Sequence, residues 1–157
     1  MNSLDQQVLT QMVSWLEAGR RSWLCTITDT FGSSPRPTGS LLACNEDGLY
    51  CGSLSGGCVE DNLRESIFKG ELASTHPELI RYGVTVDDVL KLGLPCGGSL
   101  QVLVEPVHPG NSALYKELAD KVQRRILVQR RVNIINGECH ILDVPVFMPL
   151  TVQDEVL

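Results

Sequence analysis

The sequence predicts an α/β or α+β fold in which a mixed sheet is flanked by helices within a single domain. Helix-like and strand-like segments roughly alternate along the 157 residues, a pattern that favours layers of helix and sheet around one core. The chain is long enough to bury such a core, and its 43% apolar and 20% charged residues are ordinary for a globular protein. We expect the domain to span residues 1–144, with a tail or the start of a linker at 145–157.

Composition and charge argue against several classes of protein. No apolar run approaches the roughly 20 residues that a membrane-spanning helix requires, and the N-terminus lacks the basic segment and cleavage site of a signal peptide. A cytoplasmic protein is therefore expected, and its six cysteines are expected to be reduced thiols. The net charge of −6 argues against a general role in nucleic-acid binding.

The first third of the chain predicts a helix, a strand and a hairpin. Ser3 can cap a helix that Gly19 ends, and apolar residues recur between them at helical spacing. These residues are Leu4, Val8, Leu9, Met12, Val13, Trp15 and Leu16. Residues 22–30 are predicted to form a strand, and residues 41–52 a hairpin turned at 45–48.

The middle of the chain predicts one helix and two strands. The helix spans residues 58–69, with Gly70 as its stop signal and three inward-facing residues, Val59, Leu63 and Ile67. Residues 78–82 form a short predicted strand, and residues 99–107 form a longer one with alternating apolar positions.

The last third predicts a long helix and a second hairpin. The helix starts at Asn111 or Ser112, and its buried line is Leu114, Leu118, Val122 and Ile126. The five basic residues between 121 and 131 are expected to form the exposed face of this helix. A turn at 136–137 then joins predicted strands at 132–135 and 139–142.

Three loops, at 31–39, 52–60 and 93–99, concentrate the residues suited to binding a small anionic molecule. Arg36 carries a planar guanidinium that matches a phosphate or a carboxylate, and glycines let the backbone approach a ligand closely. Glu60 is either a site residue or a carboxylate that favours the dipole of its own helix. The candidate binding residues are Ser33, Ser34, Arg36, Gly39, Ser53, Ser55, Gly56, Gly57, Cys58, Glu60, Cys96, Gly97 and Gly98.

Two of the cysteines are framed by glycines. Cys58 lies at a predicted helix start, where the dipole favours a thiolate, and Cys96 precedes a Gly-Gly pair. The other four are Cys25, Cys44 and Cys51, which lie in predicted strands and are expected to be buried, and Cys139, which has no evident partner. The three histidines show no metal-binding spacing, and neither a P-loop nor a Gly-x-Gly-x-x-Gly motif is present.

Taken together and in this order, the three loops resemble the XdhC/CoxI family of accessory proteins for molybdenum hydroxylases. The first matching piece is Thr30-x-Gly-Ser-Ser-Pro-Arg36-x-x-Gly39, and the second is Gly52-Ser-x-Ser-Gly-Gly-Cys-Val-Glu60. The third is Cys-Gly-Gly at 96–98, followed by Val-x-x-Glu-Pro at 102–106. Three motifs in register are more specific than any one of them, and they identify the chain with the amino-terminal domain of that family.

This resemblance implies a function that composition does not show. Such accessory proteins bind molybdenum cofactor, protect it while its terminal sulfur ligand is installed, and help to insert it into a xanthine dehydrogenase-type hydroxylase. The implied partners are the apo-hydroxylase, a cysteine desulfurase and the cofactor-synthesis enzymes, and a homodimer stays open. Arg36 would meet the cofactor's phosphate, and Cys58 or Cys96 would contact thiophilic molybdenum. Typical members continue into a Rossmann-like second domain, which we do not find in these residues.

Two functions of different classes follow from the residues. The favoured one is a cofactor chaperone without enzymatic turnover. The alternative is a thiol-dependent sulfurtransferase or oxidoreductase that uses Cys58 as persulfide carrier or nucleophile. The sequence shows no evident histidine base near either glycine-framed cysteine, and this favours the chaperone.

Overall fold

The computed structural model describes residues 3–31, 36–55, 58–83 and 99–153, without the side chain of Cys58. In chain order its helices and strands are α1 (Ser3–Glu17), β1 (Ser22–Phe31), β2 (Leu41–Asn45), β3 (Tyr50–Gly52), α2 (Cys58–Phe68), β4 (Glu78–Tyr82), β5 (Ser99–Val107), a 3-10 turn (Pro109–Asn111), α3 (Ser112–Gln123), β6 (Val128–Val132) and β7 (Cys139–Asp143).

Five strands form one sheet with the order β3-β2-β1-β5-β4. β1 is the central strand, pairing with β2 as far as Thr26 opposite Leu41 and with β5 as far as Phe31 opposite Ser99. All four pairings in this sheet are antiparallel. The predicted combination of helices and strands in one domain is confirmed. Of the two predicted classes, the antiparallel pairing identifies α+β, and the sheet is antiparallel where a mixed sheet was expected.

Helices cover both faces of this sheet. Successive side chains of β1 face opposite sides of the sheet. Cys25 and Ile27 pack with residues of α2, whereas Leu24 packs with residues of α1 and α3. The same alternation holds in β2, where Leu42 lies on the α2 side and Ala43 on the α1 side. The domain therefore has three layers, and its central strand is apolar on both faces.

Helices α1 and α2 end as their glycines predict. Gly19 has φ +79° and Gly70 has φ +74°, a left-handed conformation that glycine adopts without steric cost. The predicted stripe of α1 is buried, apart from the half-buried Leu4. The three predicted inward residues of α2 are also buried.

The prediction that the basic residues between 121 and 131 form the exposed face of a helix is wrong. Helix α3 ends at Gln123, and Arg125 has φ +59° in the turn that follows. Arg130 and Arg131 therefore lie on β6, and Arg130 is mostly buried against Glu105 of β5. A local run of positive charge looks like an exposed helical face because the sequence pattern does not reveal a partner 25 positions away.

The second hairpin is confirmed, but its first strand is shifted. β6 ends at Val132, and Asn133 begins the turn instead of continuing the strand. The Asn133 side-chain oxygen accepts the N–H groups of Ile135 and Asn136 at 2.9 and 3.2 Å. This local hydrogen bonding competes with strand pairing, as asparagine side chains commonly do.

Beyond β7, residues 144–153 contain no helix or strand. Within the described ranges, no helix has the length and apolar character needed to cross a membrane.

Candidate functional site

All three predicted loops are attached at the same end of the five-stranded sheet. The first connects β1 to β2, the second follows β3, and the third lies between β4 and β5. Antiparallel pairing brings the end of β1, the start of β2, the end of β3, the end of β4 and the start of β5 to one end. We call this the loop end of the sheet.

The loop end is stepped. Residues 28–31 of β1 continue past the backbone hydrogen bonds that Ile27 makes with Gly39 and Ser40, and they stay beside β5, with a register shift between Ile27 and Asp29. At about 3.3 Å per residue, this part of the sheet extends roughly 13 Å beyond β2 and β3. The first loop therefore runs from the higher side of the step, at Phe31, to the lower side, at Leu41, whereas the second loop leaves from the lower side and the third from the higher side.

Arg36 is fixed in place by Asp5 in the first turn of α1. Its Nη2 atom lies 3.0 Å from Asp5 Oδ1, and the same oxygen accepts the N–H of Leu41 at 3.0 Å. The two charged side chains are only 14% and 7% exposed. Asp5 thus connects the first loop both to α1 and to the start of β2, and it offsets part of the positive charge that Arg36 would present to an anion.

Glu60 organises the second loop. It is 5% exposed, and its Oε1 atom accepts the backbone N–H groups of Leu54 and Ser55 at 2.8 and 2.5 Å. The Ser55 hydroxyl lies 3.4 Å from the same oxygen. Because these two N–H groups donate to Glu60, they are not available to an anionic ligand, and only the other donors of the loop could bind one.

Gly52 is required by packing. Its φ is +101°, and a Cβ atom at this position would lie 2.5 Å from the carbonyl oxygen of Leu41 and 2.6 Å from Val8 Cγ2. No side chain fits there unless β2 or α1 moves. Gly39, with φ +93° and open space around it, needs glycine for its backbone angle alone.

The structure describes five of the predicted site residues fully. Arg36, Gly39, Ser53, Ser55 and Glu60 all lie at the loop end. Cys58 is the first residue of α2, as predicted. The remaining candidates, Ser33, Ser34, Gly56, Gly57, Cys96, Gly97 and Gly98, lie outside the described residues. The proximity of the two glycine-framed cysteines to each other therefore stays a prediction.

The sequence predicts that the three strand cysteines, Cys25, Cys44 and Cys51, are buried, and the structure confirms this for Cys25 and Cys44. Burial raises the pKa of Cys25 well above its ordinary value and raises that of Cys44 to about 12. Cys51 is only half-buried, and its pKa is raised by the same cause. Across the described residues, no group of three or more His, Cys, Asp or Glu side chains is arranged to hold a metal ion.

Sequence reasoning missed a second polar cluster, which lies away from the loop end. Glu105, beside Leu24 near the start of β1, forms a two-pronged ion pair with Arg130 at 2.7 and 2.9 Å. Their side chains are 4% and 16% exposed. Burial alone would lower the pKa of Arg130, but Glu105 raises it above its usual value. The only signal in the sequence was the Glu-Pro pair in the third motif, which gave no indication of its partner.

A cavity of about 410 Å³ adjoins this ion pair. Its lining includes Glu105, Tyr115, Cys139 and His140. Burial and then Glu105 raise the pKa of Tyr115, so its phenol stays protonated. Because Glu105 and Arg130 satisfy each other, this cluster joins the β6–β7 hairpin to the main sheet.

The XdhC and CoxI family model matches residues 15–83. Residues 15–83 therefore belong to the XdhC and CoxI family. The matched segment contains Arg36 and the whole of the loop from Gly52 to Glu60, so two of the three motifs lie inside it. The resemblance drawn from the sequence is thereby confirmed.

Curated relatives and a solved structure extend this family assignment. Molybdenum cofactor insertion chaperone PaoD from Escherichia coli (strain K12) is 31% identical over 107 residues, which are 68% of this chain and 33% of PaoD. A probable xanthine dehydrogenase subunit from Bacillus subtilis (strain 168) is 31% identical over 115 residues, which are 71% of this chain and 34% of that protein. The chain spans about a third of the length of these relatives.

One structural relative is a xanthine dehydrogenase from Bacillus halodurans, known from a crystal structure. It superposes with a TM-score of 0.66 and 25% identity, covering 93% of this chain and 46% of that one. The likeness thus reaches well beyond the family-matched segment and supports the three-layer fold of this XdhC/CoxI domain.

Proposed function

We propose that this domain is a molybdenum cofactor-binding accessory chaperone. In this role it protects the cofactor during sulfuration and assists its insertion into a xanthine dehydrogenase-type molybdenum hydroxylase. The observation that carries the proposal is the family match, because it covers the Arg36 loop and the Gly52–Glu60 loop. The name of the relative PaoD, a molybdenum cofactor insertion chaperone, supports the same role.

The residues at the loop end fit an anionic pterin that carries a phosphate and a soft metal. Arg36 is largely buried and oriented by Asp5, and a guanidinium suits phosphate oxygens. Ser53 is half-buried on the same side of the step and offers a hydroxyl donor. When bound, the group would supply a molybdenum centre that carries a terminal sulfur ligand, and we propose that the thiols of Cys58 and Cys96 would be its soft ligands in this chain.

The second loop would act as a shaped wall of the site. Glu60 fixes the backbone at Leu54 and Ser55, and it thereby sets the path of the chain into Cys58. A binding wall fixed before the ligand arrives loses less conformational entropy on binding. We propose that Glu60 acts mainly by this positioning, with the serines and glycines making the ligand contacts.

The partners follow from the same role. An apo-hydroxylase would receive the cofactor, and a cysteine desulfurase would supply its sulfur while cofactor-synthesis enzymes provide the pterin. A cytoplasmic location and a homodimer remain proposals of the same kind. For the alternative thiol enzyme, two carboxylates in the first turn of α2, Glu60 and Asp61, are unfavourable, because negative charge disfavours a thiolate nearby.

Cofactor binding tests the proposal directly. Molybdopterin-type cofactor released anaerobically from a molybdoenzyme is incubated with the purified protein, and retained molybdenum and pterin are measured after gel filtration. We expect stoichiometric retention, and Arg36→Gln should weaken it about 10- to 100-fold, the range for a hydrogen bond to a charged group. Arg20→Met is the matched control, since Arg20 forms an exposed ion pair with Asp47 in another part of the chain.

Two results would contradict the chaperone. The first is no retention of molybdenum or pterin by the wild-type protein. The second is normal transfer to an apo-hydroxylase by a variant in which Arg36, Cys58 and Cys96 are all replaced. Multiple turnover of a sulfur donor by the protein alone would instead favour the thiol enzyme.

A further inference from the structure

Tyr82 lies at the loop end, on the higher side of the step. It is the last residue of β4 and the strand partner of Leu100. Its side chain belongs to the core cluster on the α2 side, together with Leu54 and Val59. In sequence these two residues flank the Ser-Gly-Gly-Cys loop, so the tyrosine ring belongs to the same core cluster as the residues that precede and follow that loop.

The hydroxyl of Tyr82 is buried and has no hydrogen-bond partner among the described residues. The residue is 4% exposed, and in the described part of the chain its oxygen is one of three buried side-chain N or O atoms without a partner. The other two are Thr26 Oγ1, in the middle of β1, and Arg64 Nε, whose guanidinium is held by Gly48 through another nitrogen. A buried polar group without a partner destabilises a protein, so each one requires an explanation.

Two other buried aromatic side chains show what the fold normally does with such groups. Trp23 Nε1 donates to the carbonyl oxygen of Ala73 at 2.9 Å, and the Tyr115 hydroxyl interacts with Cys139. Phenylalanine at position 82 would fill the same core space without an unsatisfied atom. The hydroxyl therefore has to find its partner outside the described residues, and a bound ligand is the partner that we consider.

The chemistry of the phenol determines the kind of partner. Burial is the main cause that raises the pKa of Tyr82 and keeps the phenol protonated, and Cys25 and then the Glu60 carboxylate add to the shift. A protonated phenol donates one hydrogen bond. Glu60 already accepts hydrogen bonds from the loop backbone, so the phenol is a separate donor, and it suits an acceptor such as a phosphate or pterin oxygen.

We propose that Tyr82 is a ligand-binding residue of the loop-end site, whose hydroxyl donates a hydrogen bond to an acceptor oxygen of the bound anionic pterin. This inference rests on the proposed function. It adds to the site a residue of β4, which lies outside all three sequence motifs. It also brings the higher side of the step into contact with the same ligand as the Ser-Gly-Gly loop.

Tyr82→Phe tests this inference, with Tyr115→Phe as the matched control. Both tyrosines are buried, but only Tyr82 lies at the loop end. We expect Tyr82→Phe to weaken retention of molybdopterin-type cofactor about 3- to 10-fold, the value of one hydrogen bond. The Tm of the ligand-free Tyr82→Phe protein should equal or exceed that of the wild type, whereas Tyr115→Phe should leave retention unchanged.

Each outcome decides between a ligand-binding and a structural hydroxyl. Unchanged retention by Tyr82→Phe overturns the inference, and so does weaker retention accompanied by a lower Tm without ligand, since the hydroxyl then has a partner within the chain. Inorganic phosphate and a pterin without phosphate are used as separate competitors to identify the oxygen that Tyr82 contacts. Tyr82→Phe should weaken the binding of only the competitor that carries this oxygen. If the wild-type protein itself retains no cofactor, the proposed function fails before Tyr82 is tested.

Discussion

Replacing Glu60 by alanine should destabilise the domain far more than an ordinary change in a first helical turn. The substitution leaves the N–H groups of Leu54 and Ser55 without their acceptor. Leu54 is fully buried, whereas Ser55 is half-buried, so water can replace the acceptor only for Ser55. At about 1–3 kcal/mol for each buried donor left unsatisfied, and less for the hydrated one, we expect a loss of about 2–4 kcal/mol.

The neighbouring Asp61 provides a matched control. It carries the same charge in the same first turn of α2, but its side chain is 78% exposed and forms only a 3.7 Å contact with Arg64. Asp61→Ala should therefore cost less than about 1 kcal/mol. Glu60→Gln keeps one acceptor oxygen and should fall between the two variants.

Urea unfolding of the three variants measures these differences, and cofactor retention is measured in parallel. Glu60→Ala should also lose retention, because the path of the chain into Cys58 is no longer fixed, while Asp61→Ala should retain the cofactor normally. If Glu60→Ala is no less stable than Asp61→Ala, then the loop does not depend on the carboxylate and our reasoning is refuted.

Three other predictions concern the rest of the domain. Arg130→Met should lower the free energy of unfolding in urea by about 3–5 kcal/mol, because it leaves the Glu105 carboxylate buried and unpaired. The double variant Glu105→Leu/Arg130→Met should recover most of this loss. A double variant as unstable as the single one would contradict the idea that the unpaired charge causes the loss. Gly52→Ala should lower the free energy of unfolding by about 2–5 kcal/mol, because alanine would be left-handed there and would clash with β2 and α1. Gly48 has φ +84° and open space around it, so Gly48→Ala should cost only about 1–2 kcal/mol. Equal losses would show that the packing around Gly52 can adjust. Burial raises the pKa of the Cys44 thiol from 9.0 to about 12 in the folded protein. Its contribution to stability is therefore complete below pH 9 and is lost as the pH rises from 9 toward 12. Alkylation at pH 8 should label Cys44 only after unfolding, and rapid labelling of the folded protein would contradict this prediction.

The fold could be predicted from sequence wherever the signal is local. Gly19 and Gly70 end their helices because a left-handed residue follows the last turn, and periodic apolar residues mark the buried faces of α1 and α2. The hairpins follow from short polar turns with glycine. What local patterns do not contain is long-range pairing, and for this reason Arg130 was assigned to a helix although its partner is Glu105 on another strand.

The candidate site was predictable in composition but not in organisation. The residues around Arg36 and Cys58 stand out as polar, glycine-rich loops in a chain of otherwise regular elements. Asp5 does not stand out, because an acidic residue in a first helical turn is common. Tyr82 is equally inconspicuous, since an aromatic residue in an apolar strand predicts packing, and only the buried, unpartnered hydroxyl distinguishes it.

The position of β5 in the sheet sets a lower limit on the piece of this chain that can fold. β5 lies between β1 and β4, yet it comes after both of them in sequence, and the family-matched residues 15–83 end before it. A fragment limited to those residues would leave one whole edge of β1 unpaired and β4 without any neighbour, and a strand with open backbone groups is prone to aggregate. A minimal folded version of the domain therefore has to include β5, and it also needs α3, because Tyr115 and Leu118 of that helix belong to the core on the α1 side. No ribosome-bound chain can form the loop end until β5 has emerged.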